Sequence, residues 1–332
     1  MQHNRIIRKC QLIRWKGRER VADLSGDEFI SVGTRAFSRC RRLEEVRLPS
    51  GLSAVKTQAF RGCRRLRLVT LPESDSVGLS AQTFAGCERL QALEHSELLT
   101  VVGKEAFAGC RSLREIRFGR DLRRIGERSF QNCRSLVQLS LPSCLETVGK
   151  RAFAGCWELA GLTLEPGLEA MSPGMFRQCI SLQEVELPDS LQELPSGVFR
   201  DCSAINALHI PGTVQRIGAS AFRGCVSMET AVLSLGTAEI GAFAFAGNPA
   251  LREVVIPHSL KRLGFGAFGL GRSKEKIVLL VDNEYMCRRL RRLLLFCGSA
   301  GRTEVRLNGK TLEERKRERH RSSLDGQSPH IS

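Results

Sequence analysis

A fixed period constrains this chain more than any other feature. An Ala-Phe-x-x-Cys cassette, seen as Ala152-Phe153-Ala154-Gly155-Cys156, recurs with its Phe at 37, 60, 84, 107, 130, 153, 176, 199, 222, 245 and 268. The interval is 23 residues every time, except for 24 between Phe60 and Phe84. A constant period of roughly 20–50 residues marks a solenoid of stacked supersecondary units. One such unit buries too few apolar side chains to offset the entropy of ordering its backbone, so its stability must come from its neighbours. Length alone would suggest about two domains; the repeat instead predicts one elongated domain over residues 23–272.

Inside the period, two patterns alternate. The first full copy runs Ala36-Phe37-x-x-Cys40-x-x-Leu43-x-x-Val46-x-Leu48-Pro49-x-x-Leu52-x-x-Val55. Val46 and Leu48 alternate with polar residues, as in a short strand with one buried face. Pro49 closes that strand because it has no N–H to donate. Leu52 and Val55 mark a return segment that is often followed by Gly, at 103, 126, 149, 218, 241 and 264. That glycine is expected to supply a turn conformation other residues adopt at a cost. The cassette itself is expected to be a short helical or 3₁₀ turn opposite the strands, with Phe pointing inward. Strands about 4.8 Å apart would stack eleven coils into an arc roughly 50 Å long.

The thirteen cysteines are placed by the same register. Nine of them (40, 63, 87, 110, 133, 156, 179, 202 and 225) hold one cassette position, leaving Cys10, Cys144, Cys287 and Cys297. A disulfide framework pairs cysteines at irregular spacings. A column of equivalent positions reads instead as buried free thiols acting as small hydrophobes, which suits a reducing compartment.

Departures from the period locate the ends and the irregular coils. Residues 1–22 are basic and weakly patterned, with Ile6, Ile7, Leu12, Ile13 and Trp15 available to cap the first coil. The inserted residue falls in the loop 73–77. The strand that follows lacks the Leu-Pro ending and places His95 inward, as a hydrogen-bonded core histidine. Asn248 replaces Cys in the tenth cassette, where its amide could bond the backbone of a neighbouring coil. Residues 273–312 are predicted to form a strand–helix–strand cap: an apolar strand at 276–281, a helix capped by Asp282 and running to Phe296, and a last strand at 304–307 with a tight turn at Asn308-Gly309. Residues 313–332 read as a disordered basic tail.

Charge is segregated. Residues 1–135 carry 27 Lys+Arg against 15 Asp+Glu, residues 136–260 carry 7 against 12, and residues 261–332 carry 17 against 8. Basic ends around an acidic middle could attract nucleic acid or an anionic membrane surface. No run of 18 apolar residues is present, so a membrane-spanning helix is not expected. The first residues lack the apolar stretch of a secretory signal, which predicts a cytoplasmic protein, with cell-surface display by another route as the alternative.

Catalytic and cofactor chemistry finds little footing. Gly264-Phe-Gly266-Ala-Phe-Gly269 matches a dinucleotide fingerprint in letters only, because Phe268 belongs to the eleventh cassette and no strand–helix–strand unit follows. Cys287 and Cys297 are too far apart for a zinc pair on their own. Neither a catalytic set, a cofactor nor a metal site is expected.

The full pattern, carried by residues 106–128 and by Ser181-Leu-Gln-Glu-Val-Glu-Leu-Pro-Asp-Ser-Leu191, resembles the BspA-like or Treponema pallidum-type class of leucine-rich repeat. The resemblance covers about 30–272. It implies a repeat solenoid whose short parallel β-strands line a concave face, with 3₁₀ or helical turns opposite and a small C-terminal α/β cap. It further implies a non-enzymatic scaffold that binds a protein or peptide on the concave face. Many members of that class are surface proteins concerned with attachment, so adhesion is the alternative.

Function should then lie at the strand positions that flank the inward residues. On the N-terminal coils these are mixed charges, such as Glu45 with Arg47 and Glu115 with Arg117. The face carries no aromatic residue for base stacking, which disfavours nucleic acid there. The preferred contact residues are Ala207, His209, Thr230, Val232, Glu253 and Val255, with Glu184 and Glu186 beside them.

The inward register of the cassette gives the first prediction. Phe153→Ala should cost about 3–5 kcal/mol in a denaturant melt, as for other truncated core aromatics. A loss below about 1 kcal/mol would show that the ring is not in the core.

Overall fold

A computed structural model describes residues 5–8, 11–73, 76–169, 171–269, 276–296, 298 and 300–308. The basic tail, the cassette break at 270–271, Gly309 and the thiols of Cys10 and Cys297 lie outside them. Among the described residues the chain winds as a solenoid of short strands, up to two per coil and paired in parallel apart from the antiparallel pair 5–8 with 11–15, with one α-helix near the C-terminal end.

The first strand of each coil lies on the concave face. These strands form three blocks: 21–23, 45–47, 68–70 and 92–94; then 138–141 and 161–164; then 207–210, 230–233, 253–255, 277–281 and 303–307. Within a block the register is in step, with Val46 opposite Val69 and Leu208 opposite Ala231. Along the strands inward residues alternate with residues turned toward solvent, for instance exposed Thr230, buried Ala231, exposed Val232 and buried Leu233, although the inward Leu162 is only half-buried. The return segments form a second ladder, running from 11–15 and 31–32 to 147–148 and again from 193–194 to 262–263. The added residue between Leu71 and Val77 is absorbed without loss of pairing: Ala54 faces Gly78 and Val55 faces Leu79.

Between the ladders stands a column of phenyl rings. All eleven cassette phenylalanines are buried. Successive rings stack with centroids 4.6–5.7 Å apart and planes within 7–19°. Trp15 closes the column's N-terminal end, 5.5 Å from Phe37. Pairs in this offset geometry contribute beyond the area they bury.

The cassette backbone explains why it never becomes a continuous helix. In the first ten cassettes two residues are left-handed: one two places before Phe, such as Arg35, Gln58 and Glu105, and one two places after it, such as Arg39, Gly62 and Asn132. Amide bonds therefore alternate in destination. Ser38 N–H donates to Arg35 O and Cys40 N–H to Phe37 O, in a 3₁₀-like pattern, while Phe37 N–H donates to Ala59 O and Arg39 N–H to Arg61 O on the next coil. Half the turn is bonded to itself and half to its neighbour.

The cysteine column completes this scheme. Each thiol from Cys63 to Cys225 donates to the carbonyl of the preceding coil's Phe at 3.0–3.4 Å. That carbonyl already accepts its own Cys N–H, and the thiol fills its second lone pair. Asn248 does the same work by another group: its Nδ2 donates to Phe222 O at 3.1 Å. Among the described residues the cysteines are free; Cys40, in the first coil, is half-buried and not buried as expected, while burial pushes the thiols of Cys87, Cys110, Cys133, Cys156, Cys179, Cys202 and Cys225 above the ordinary range.

Three expectations are corrected. The glycines after the return strands do not adopt positive φ. A Cβ on Gly126 would lie 2.4 Å from Lys104 N, and one on Gly149 would lie 2.2 Å from Glu127 N. These glycines are required by the close approach of one coil's backbone to the next, not by turn geometry. His95 is not a core residue. It is left-handed at φ 61, and Nδ1 lies 3.7 Å from Glu97 Oε1 with the side chain partly exposed. The inward place goes to Ser96, whose hydroxyl accepts from Arg117 N–H at 3.1 Å and interrupts the concave ladder at the next coil. At the C-terminal end, the helix spans Glu284–Phe296, and Asn283, not Asp282, caps it by accepting from Met286 N–H at 2.7 Å.

Two predictions follow from the coil-to-coil contacts. Gly126→Ala should destabilise by about 1–3 kcal/mol as an overpacking change, while Gly26→Ala, which has nothing within 4 Å, should stay within about 0.5 kcal/mol in the same denaturant melt. A thiol reagent at mildly alkaline pH should modify the eight buried cassette thiols, Cys63 to Cys225, only as the protein unfolds. A fast phase of that size in native protein would disprove their burial.

Candidate functional site

The third strand block forms the longest uninterrupted stretch of the C-terminal concave face. Its in-step register lines up the solvent-facing residues in two rows. Ala207, Thr230, Glu253, Val278 and Glu304 form one row; His209, Val232, Val255, Leu280 and Arg306 form the other. Six of the eight residues singled out from the sequence are thus neighbours in adjacent rungs, about 4.8 Å apart. Glu184 and Glu186 are not in this ladder. They lie between the second and third blocks, on a segment that forms no strand.

The second row changes chemistry along its length. His209 Nε2 lies 3.0 Å from Ser234 Oγ at one end. Val232 and Val255 then give an apolar run, with Val232 exposed. Beyond the strand ends this run opens into a trough of about 500 Å³, lined by Leu233, Leu235, Val255, Pro257 and Leu280. A polar rim closes one side, where His258 Nδ1 and Asp282 Oδ2 are 2.7 Å apart, with Asn308 beside them.

Leu235, His258 and Asp282 went unnoticed in the strand pattern because they lie just past the strands. One signal was available. Leu235 occupies the loop position held by Ser50, Ser143 and Asp189 in other coils, and it is 61 % exposed. An exposed leucine in a column of polar loop residues is the kind of deviation that a repeat makes visible.

Other depressions are more polar. On the concave face near His95, Glu94, Glu97 and Glu115 border a groove, but Glu115 is paired with Arg117 and Glu94 accepts from Thr70 at 2.6 Å. On the cassette side, Gly174 and Gly197 open a basic depression whose Arg177 and Arg200 both lean on Asp201, at 3.6 and 3.4 Å. Among the described residues, no group of three or more His, Cys, Asp or Glu comes together as a metal site would require. Among them, too, no helix is long and apolar enough to cross a membrane.

Comparison with known proteins settles the family. Six copies of the BspA type leucine rich repeat region match residues 24–137, 77–206 and 194–286. The chain belongs to the BspA-type leucine-rich repeat family. Among solved structures it is similar to a leucine-rich repeat protein from Bacteroides ovatus, at 19 % identity and TM-score 0.57, covering 92 % of this chain and 96 % of that one. The T. pallidum leucine rich repeat protein matches at 25 % identity and TM-score 0.39, over 66 % of this chain and 82 % of that one. A leucine rich cell surface protein from Faecalibacterium prausnitzii matches at 18 % identity and TM-score 0.42, over 76 % and 93 %. No curated protein matches the chain. Leucine-rich repeats of this kind serve in general as protein-interaction scaffolds or adhesins, and the family is non-enzymatic.

Proposed function

We propose that this BspA-type solenoid binds a peptide or protein segment along the C-terminal third of its concave face, with the partner's apolar side chains seated in the trough beside Leu235. The observation that carries this reading is the trough itself, an open apolar cleft of about 500 Å³ continuous with the valine run of the second row, in which Val232 is exposed and Val255 half-buried. A ligand site is expected to be mostly apolar with a few placed polar groups, and here the His258–Asp282 pair and Asn308 supply those groups. Thr230 and Glu253 in the first row offer hydrogen bonds and a charge alongside. Binding would come from burying Val232, Val255, Leu235 and Leu280, and orientation from the polar rim. No bond is made or broken, and the site needs neither metal nor cofactor for this work.

Panning a peptide display library on the intact protein, then measuring the selected peptides against Val232→Glu with Leu235→Glu, tests the reading. Both residues are exposed, so the variant should keep its thermal midpoint while its affinity falls at least about tenfold, because buried apolar contacts are replaced by charge. Equal affinity for both proteins would place the binding surface elsewhere.

A further inference from the structure

A second surface, on the cassette side of the C-terminal end, departs from the repeat in a way the concave site does not use. Two places before each cassette Phe the coils carry polar residues or glycine, such as Arg35, Gln58, Glu105, Arg151 and Ser220. In the tenth coil that place is Phe243, a left-handed phenylalanine at φ 57, a conformation rare for a bulky side chain. In the eleventh coil a second aromatic stands one place earlier: Phe265 takes a position where other coils carry Lys104, Glu127, Lys150 and Ser196 or the small Ala219 and Ala242, and it is 63 % exposed. The two rings meet edge to face at 5.6 Å.

The helix Glu284–Phe296 adds to the same patch. Met286, Cys287, Leu290 and Leu294 face the solenoid and are buried. A soluble capping helix would turn polar residues outward. Here the outer face carries Tyr285, Leu295 and Phe296, which are 70, 72 and 88 % exposed, with Arg288 and Arg292 between them. The helix end and the coil aromatics are contiguous: Gly298, two residues beyond Phe296, lies against the Phe265 ring, 3.2 Å from the place a Cβ would occupy. Four arginines and one glutamate lie on the helix. Glu284 is engaged by Arg288 at 3.3 Å, while Arg291 and Arg292 have no acidic partner among the described residues.

We propose that this surface docks the protein onto an anionic lipid bilayer, with Phe265, Leu295, Phe296 and Tyr285 seated at headgroup level and the helix arginines on the lipid phosphates. Exposed aromatic and aliphatic tips flanked by cations are what an interfacial helix presents. Charge argues against the other occupants. A second copy would bring arginines against arginines, and the chain's own residues 315–321 are themselves basic. A nucleic acid would satisfy the arginines but leave Leu295 without a partner, since an aliphatic side chain has no face on which a base can stack.

Sedimentation of the full chain with vesicles tests this. The protein should partition onto phosphatidylcholine vesicles containing phosphatidylglycerol and remain free of pure phosphatidylcholine vesicles. Arg291→Gln with Arg292→Gln should lower the partition coefficient about 25-fold, near fivefold per charge. Leu295→Ser with Phe296→Ser should lower it at least about tenfold, and because both side chains are exposed the thermal midpoint should not move. Absence of binding, equal binding to neutral vesicles, or retention by the Leu295/Phe296 variant would overturn the proposal. So would a self-association that the Leu295/Phe296 variant abolishes, or tight binding of duplex DNA that it leaves intact.

Discussion

Each coil depends on its neighbours for most of what keeps it folded. The cassette Phe stacks on the ring before it and the ring after it, its carbonyl accepts the next coil's thiol, and alternate amides of its turn donate to the next coil's backbone. A 23-residue segment cut from this context would lose its ring stacking, half its turn hydrogen bonds and one wall of its core together. The energetics are therefore those of a one-dimensional array, in which nearest-neighbour terms dominate. The close approach at Gly103, Gly126 and Gly149 has the same origin, because coils bonded this tightly leave no room for a Cβ between their backbones.

That division of labour frees the outside of the molecule. Ring, thiol and glycine hold the coils together from within, so the residues flanking each buried strand position vary without disturbing the stack. The same scaffold carries an acid–base mixture near Glu45 and Arg47 and an apolar run at Val232 and Val255. It also tolerates local rupture. Where Ser96 takes the inward place at the end of its strand and His95 turns outward, the concave ladder breaks but the phenyl column passes through undisturbed, with Phe107 and Phe130 4.9 Å apart. The proposed peptide site and the proposed lipid surface both sit on variable positions of this kind, on different surfaces of the C-terminal coils. They could act at once, one presenting a partner while the other rests on a membrane.

Much of this was legible in order along the chain. Phe153 and Cys156 announce the column because equivalent positions in a stack must repeat their chemistry, and Val232 and Val255 can be assigned to one row by counting 23 from one to the other. Positions that do not repeat gave less away. His95 looked inward by alternation until its left-handed backbone rotated it out of the core, and Asp282 looked like a helix cap until His258, a coil away, engaged it while Asn283 took the cap. In both cases the deciding feature, a left-handed residue or a partner one coil away, is invisible to periodicity.

The sequence by itself determined the period, the family of the fold, the inward identity of Phe and Cys, and which strand residues face solvent, since all of these follow from translation of one unit. Only the tertiary structure decided why Gly126 must be glycine, where the strand ribbon breaks, and that Leu235, His258 and Asp282 converge on one trough while Phe265 meets Gly298 beyond the helix end. Those outcomes depend on distances between coils and on where the chain leaves its period. A repeat written in one dimension specifies what each coil contains, but the gap between two backbones is fixed only once they are stacked.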